Sequence, residues 1–140
     1  MKLSHTSLFA VTFLASVVCA LAVPVATAAQ NGTIDKRVDH TGRATFFNTE
    51  GVVGVCGHKD QDSDHIVAVS PQHFGNGGNC EQWVRITANG QSHFGQTRDV
   101  CPGCGIDSLD LSTSLFEEFM PLDVGFFEMT WHFMPKGFTP

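Results

Sequence analysis

Two carboxylates, Asp99 and Asp110, stand eleven positions apart around a turn clamped by Cys101 and Cys104, in the run Asp99-Val100-Cys101-Pro102-Gly103-Cys104-Gly105 followed by Leu109-Asp110-Leu111-Ser112. A paired carboxylate can protonate a leaving group or grip a hydroxyl-rich ligand. A carboxyl between Leu109 and Leu111 is also expected to hold its proton more tightly than an exposed one, because desolvation disfavours the charged form. The same residues have structural uses: Asp99 can tie the turn to backbone N–H groups, and Asp110 can cap a helix starting near Ser112. The Cys-x-x-Cys pair invites a redox reading, but redox pairs of this type open a helix in a βαβ unit, and the residues after Cys104 are turn-formers. Zinc is not expected, since no second ligand pair stands at structural spacing. Asp60, Asp62 and Asp64 begin like a calcium loop, yet the sixth position is His65 rather than Gly and the twelfth is Pro71 rather than Glu, so the stretch from His58 to His65 reads as a solvated acidic loop. No metal and no cofactor are expected.

These residues need a scaffold, and its pattern is mostly of period two. In the run 83–88, Val84, Ile86 and Ala88 alternate inward, leaving Trp83 outward. Asn89-Gly90 signals a hairpin into a strand from about His93 to Val100. The last strand, residues 126–134, places Phe127, Met129, Trp131 and Phe133 on one face, so Trp131 is expected in the core. Helical spacing occurs only in residues 112–120, through Leu115, Phe116 and Phe119. Ser112 is the expected N-cap, with Ser114 and Glu117 as a capping box one position later. Several short strands, glycine turns and one short helix predict a small closed all-β barrel.

The order of the landmarks resembles a known family. Gly42-Arg43-Ala44-Thr45-Phe46-Phe47, Val55-Cys56-Gly57, Ile66-Val67-Ala68-Val69-Ser70, Phe74-Gly75 and Cys80, then the Asp99 and Asp110 motifs with Phe116, are similar to the RlpA-like double-psi β-barrel of expansins, barwin and loosenins. The match runs from Gly42 to Met134. It implies a six-stranded double-psi barrel and, by likeness to barwin, disulfides Cys56–Cys80 and Cys101–Cys104. Spacing alone leaves the pairing of these four cysteines open among three connectivities. Two departures stand out: Phe46 and Phe47 replace the usual tyrosines, and Cys80-Glu81-Gln82 replaces a lysine-bearing Cys-Gly-Lys.

The resemblance makes Asp110 the candidate acid and Asp99 the second carboxylate of one groove, with Thr45 and Asn48 as polar contacts and Trp83, Phe47 and Phe94 as platforms for sugar rings. Family hydrolases place a base on the first strand, where this chain has Asn48. An amide cannot deprotonate water, so an inverting hydrolase is not expected unless Glu50 bends into the groove. The leading expectation is an expansin-like protein that binds cell-wall polysaccharide and loosens it without hydrolysis, hence no confident catalytic residue. The alternative is a protein-binding module, a protease inhibitor or defence or effector protein of barwin type, with the acidic loop as its contact. A lytic transglycosylase, needing one acid/base residue, or a weak endoglucanase ranks below both.

Residues 1–28 read as a secretory signal peptide: Lys2, an apolar run from Leu8 to Val23 shorter than the ~20 residues of a spanning helix, and small-residue cleavage candidates at Ala20-Leu21-Ala22 and Ala26-Thr27-Ala28. Cys19 follows Val18, a poor lipobox, and leaves with the signal. Residues 29–37 read as a propeptide or linker holding the acceptor Asn31-Gly32-Thr33 and the dibasic Lys36-Arg37, which resembles a kexin-type processing site. Residues 38–140 are the expected domain of a secreted, extracellular or cell-wall protein. That domain holds five Lys/Arg against 13 Asp/Glu. Such an acidic surface excludes nucleic acid as partner and disfavours anionic membranes, leaving neutral or cationic glycans or a secreted protease. A monomer is expected.

Overall fold

The computed structural model describes residues 37–140, so the expectations for the leader, Cys19, Asn31 and Lys36 lie outside the described residues. Six strands close a barrel: β1 (His40–Phe47), β2 (Ile66–Val69), β3 (Trp83–Ala88), β4 (Gln91–Val100), β5 (Leu109–Ser112) and β6 (Phe127–Phe133), in the order β1-β5-β2-β4-β3-β6. The pairs β1/β5 and β2/β4 are parallel and the other four antiparallel. Closure leaves no free sheet edge, and it carries the double-psi arrangement, which period-two alternation cannot specify.

The alternation expected from the sequence is the alternation observed. Val84, Ile86 and Ala88 of β3 and Phe127, Met129 and Trp131 of β6 are buried, joined inside by Val67, Val69, Leu109 and Leu111. The β3–β4 hairpin turns through Asn89 and Gly90 with φ of 52° and 78°, positive at both central positions as a type I′ turn requires. That tight turn lets β4 start at Gln91, two residues before the expected His93. Gly95 in β4 is a close approach: a Cβ there would lie 2.6 Å from Leu115 Cδ2 and 2.7 Å from Val67 Cγ1.

The helices depart from expectation. The stretch at 112–120 gives only a five-residue helix, α2 (Thr113–Glu117), preceded in the chain by an unanticipated helix α1 (Pro71–Phe74) and followed by a 3₁₀ turn at Leu122–Val124. Ser112 does occupy the N-cap of α2, but its hydroxyl accepts from Ile66 N–H across the sheet, because β5 runs straight into the helix. Ser114 Oγ has no partner, so no capping box forms. The signal for α1 was present: Ser70-Pro71 puts a capping hydroxyl before a proline at the first helical position, and Ser70 Oγ accepts from His73 N–H at 3.4 Å.

The disulfides are Cys56–Cys80 and Cys101–Cys104, the pairing the resemblance implied. The long loop between β1 and β2 folds against the barrel, pinned by Cys56–Cys80. Asp62 and Asp64 are exposed, as expected of a solvated acidic loop, and Asp60 departs from that expectation. Asp62 accepts from Thr49 N–H (2.6 Å) and Thr49 Oγ1 (2.9 Å), and Asp60, its side chain 12% exposed, faces Arg98 Nε at 3.5 Å. A carboxylate near a guanidinium exchanges hydration for a charge-assisted contact, so Asp60 turns inward, while Asp62 ties the exposed loop to Thr49 from the surface. Among the described residues no helix is long and apolar enough to cross a membrane.

Candidate functional site

Asp110 lies in β5 between Leu109 and Leu111, both fully buried in the barrel, so the pleat turns its side chain outward. It caps no helix. Register partners set its neighbours: Thr45 of β1 on one side and Ala68 of β2 on the other, with Asp99 of β4 beyond Ala68. Thr45, Asp110, Ala68 and Asp99 therefore form one row across four strands. The two carboxylates stand two strand spacings apart, about 9.5 Å between backbones.

The row is asymmetric. Thr45 Oγ1 donates to Asp110 Oδ1 at 2.5 Å, and the partly buried carboxyl is held above the usual carboxylate range by desolvation, which the Thr45 hydrogen bond partly offsets. Asp99 instead uses Oδ1 to accept from Val55 N–H (3.1 Å) and from its own neighbour Val100 N–H (2.8 Å). It fastens the long loop to the barrel while keeping one edge on a small cavity of about 190 Å³. Phe47, Asn48, Glu50 and Arg98 share that cavity with Asp99. Glu50 reaches it because the chain turns back at Glu50-Gly51, with φ of 52° and 62°. Neither Thr45 nor Asp110 lines the cavity; they lie beside it in the row.

The other expected contacts are dispersed. Trp83 is half-buried and pairs with Gln96 on the far side of β4, three strands from Asp110 and outside the cavity. Phe94 stacks on Phe138 at 5.3 Å. Trp131 is core, 1% exposed. Of the candidate platforms, only Phe47 lines the cavity.

A second constellation was not anticipated. His40, at the start of β1, and His73, in α1, direct Nδ1 and Nε2 at the same oxygen of Asp107, at 3.0 and 2.9 Å. Asp107 sits in the turn before β5. It is held below the ordinary carboxylate range, chiefly by the hydrogen bond from His73 and against a smaller cost of desolvation, with His40 adding to the effect. The residues are separated by 33 and 34 positions, and no spacing in the chain announces them. His40 and His73 line a cleft of about 960 Å³ together with Arg37, Arg85, His132 and Lys136.

A scan against protein-family models gives no match, and a search of curated proteins gives none. Solved structures do match. The Streptomyces papain inhibitor superposes with a TM-score of 0.63 at 30% identity, over 69% of this chain and 94% of the inhibitor. An expansin of Clavibacter michiganensis matches with a TM-score of 0.66, at 24% identity in its apo form and at 22% for a point variant in complex with cellohexaose; both matches cover 74% of this chain. The chain spans 54% of the length of those expansin chains. The chain belongs to the RlpA-like double-psi β-barrel family, as its motifs suggested.

Proposed function

We propose that this is a secreted, expansin-like protein that binds neutral cell-wall polysaccharide on the outer face formed by β1, β5, β2 and β4 and loosens it without hydrolysis. The observation that carries the reading is Asp110: an outward carboxyl, partly desolvated and held by Thr45, beside a cavity with a carboxylate, an amide and an aromatic ring in Asp99, Asn48 and Phe47. A carboxyl that keeps its proton more readily can donate to a sugar oxygen, and the Phe47 ring offers an apolar face to a pyranose. The Clavibacter expansin solved with cellohexaose supports a glucan as ligand. The two disulfides are consistent with an oxidising compartment and so with secretion. Non-hydrolytic action follows from Asn48 at the position of the base and from Asp99 Oδ1 already accepting two backbone N–H groups.

The test is a pull-down of purified protein on insoluble cellulose, xylan, chitin and peptidoglycan, with the supernatants assayed for released sugar. Binding that falls in Asp110→Ala, without sugar release, is expected. Sugar release that disappears in Glu50→Gln would overturn the non-hydrolytic reading, since Glu50 lines the cavity and could act as base. Absence of binding to every glycan would overturn the polysaccharide.

A second reading, inhibition of a papain-like protease, is favoured by Val52, Val53 and Val55, which are 65%, 60% and 59% exposed beside the Cys56–Cys80 staple. Solvent-facing apolar side chains on a fastened loop suit a protein partner, and the similarity to the Streptomyces papain inhibitor points to the protease class. Papain inhibition lost in Val55→Asp but retained in Asp110→Ala would select this reading over the first.

A further inference from the structure

We propose that His40, His73 and Asp107 form a binding site for one divalent transition cation of the zinc type, built where the start of β1, helix α1 and the turn before β5 meet. The donor atoms His40 Nδ1, His73 Nε2 and an Asp107 carboxylate oxygen lie within 4.8 Å of one another. Two imidazoles and a carboxylate are a borderline donor set that suits zinc, with a fourth position left open. Metal–ligand bonds of about 2.0–2.1 Å at tetrahedral angles place ligand atoms about 3.3 Å apart. The observed 2.9 and 3.0 Å contacts need to open by only a few tenths of an ångström. A carboxylate has no proton to give, so both histidines present N–H to it without metal. The cation sits at the point where both rings already aim, each neutral imidazole ligating it through that nitrogen and carrying its single proton on the other ring nitrogen.

The surroundings hold the donors in place. Trp131 Nε1–H donates to the Asp107 carbonyl at 2.7 Å, and the buried indole packs against the His40 ring at 4.4 Å and the edge of the His73 ring at 5.0 Å. Asn79 Nδ2 donates to the His73 carbonyl at 2.5 Å. Gly42 lets β1 pass against the Asp107 backbone, where any side chain would overlap its carbonyl. Ligands locked by packing and outer hydrogen bonds lose little freedom on binding. The two imidazoles are mostly buried, 16% and 18% exposed, yet both line the 960 Å³ cleft, which gives the ion an entry path. The alternative is a hydrogen-bonded network with no affinity for metal.

Zinc chloride titrated calorimetrically into the untagged protein near pH 7.5 separates the two. One equivalent should bind, and Asp107→Asn and His73→Gln should each weaken binding by at least about tenfold. His58→Gln, at a separate close His–carboxylate pair with Glu81, should leave it unchanged. Should a variant misfold, histidine side-chain NMR of the unaltered protein decides: sub-stoichiometric zinc must shift the His40 and His73 ring signals. No heat and no such shift, or binding undiminished in folded Asp107→Asn, would overturn the site.

Discussion

At the Phe47 end of β1 the polar side chains are Asn48, Glu50, Asp60 and Asp99, with Arg98 enclosed among them; at the His40 end they are His40, His73, His132, Arg37, Arg85 and Lys136 around a cleft five times larger. On a chain of formal net charge −6, carboxylates dominate one end of the strand, whereas the other mixes imidazole and cationic groups with Asp107 and Asp39. Net charge describes what the whole surface repels. The donor atoms within each site decide what it holds: two imidazoles converging on a carboxylate at the His40 end, and carboxylates with an amide at the Phe47 end. The carboxylate end rests on strand alternation, which turns Asp110 outward. The histidine end rests on the packing of Trp131, which holds three separate segments together.

The comparison can be broken first at Gly42. Alanine there must displace backbone at Asp107, so Gly42→Ala should cost about 3 kcal/mol in denaturant unfolding, as overpacking against a fixed neighbour does. Folded Gly42→Ala protein should lose zinc affinity and retain any Asp110-dependent glycan binding. Retained zinc affinity would mean that the turn is not held by this contact.

Removing the Cys56–Cys80 bridge with a Cys56→Ser/Cys80→Ser pair should also cost roughly 3 kcal/mol in the chain-entropy model, against about 2 kcal/mol for Cys101→Ser/Cys104→Ser, which closes only one turn. Urea melts compare the two. The larger loss should come with proteolytic sensitivity of the β1–β2 loop, and so with damage to the carboxylate end alone.

Thr45→Ala removes the donor to Asp110 and should destabilise by about 1–2 kcal/mol at neutral pH. The loss should shrink under acid conditions, when Asp110 is protonated and no longer a charged acceptor. Thermal melts across pH would show it, and a loss independent of pH would assign it to packing.

The smallest effect has the opposite sign. Because burial raises the folded-state pKa of Asp110, the native state binds more protons than the unfolded chain. Stability from this group is therefore greatest below its unfolded value and declines as pH rises through the folded one. Asp110→Asn should thus melt slightly higher than the parent at pH 7 and equally at pH 3. Asp107 runs the other way: its lowered pKa contributes stability present above the unfolded value and lost as pH falls through the folded one. Melts of Asp107→Asn against pH should show this reversal, sharpening the contrast between the two ends. A lower melting temperature for Asp110→Asn at pH 7 would remove desolvation as the cause.

The sequence by itself determined the inward faces of β3 and β6, because side chains alternate strictly along an extended chain: Val84 and Ile86 in, Phe127 and Met129 in. It also determined the Asn89-Gly90 turn, since few other residue pairs accept positive φ twice. The resemblance supplied the disulfide pairs. Only the tertiary structure decided that Ser112 serves Ile66 rather than its own helix, that Asp60 turns toward Arg98, that Asp110 sits on a strand facing outward rather than capping a helix, and that Asp99 fastens a loop while Asp110 stays beside it. The meeting of His40, His73 and Asp107 is of the same kind. No local rule links residues more than thirty positions apart, and barrel closure, through the burial of Trp131 against all three, brings them to one point.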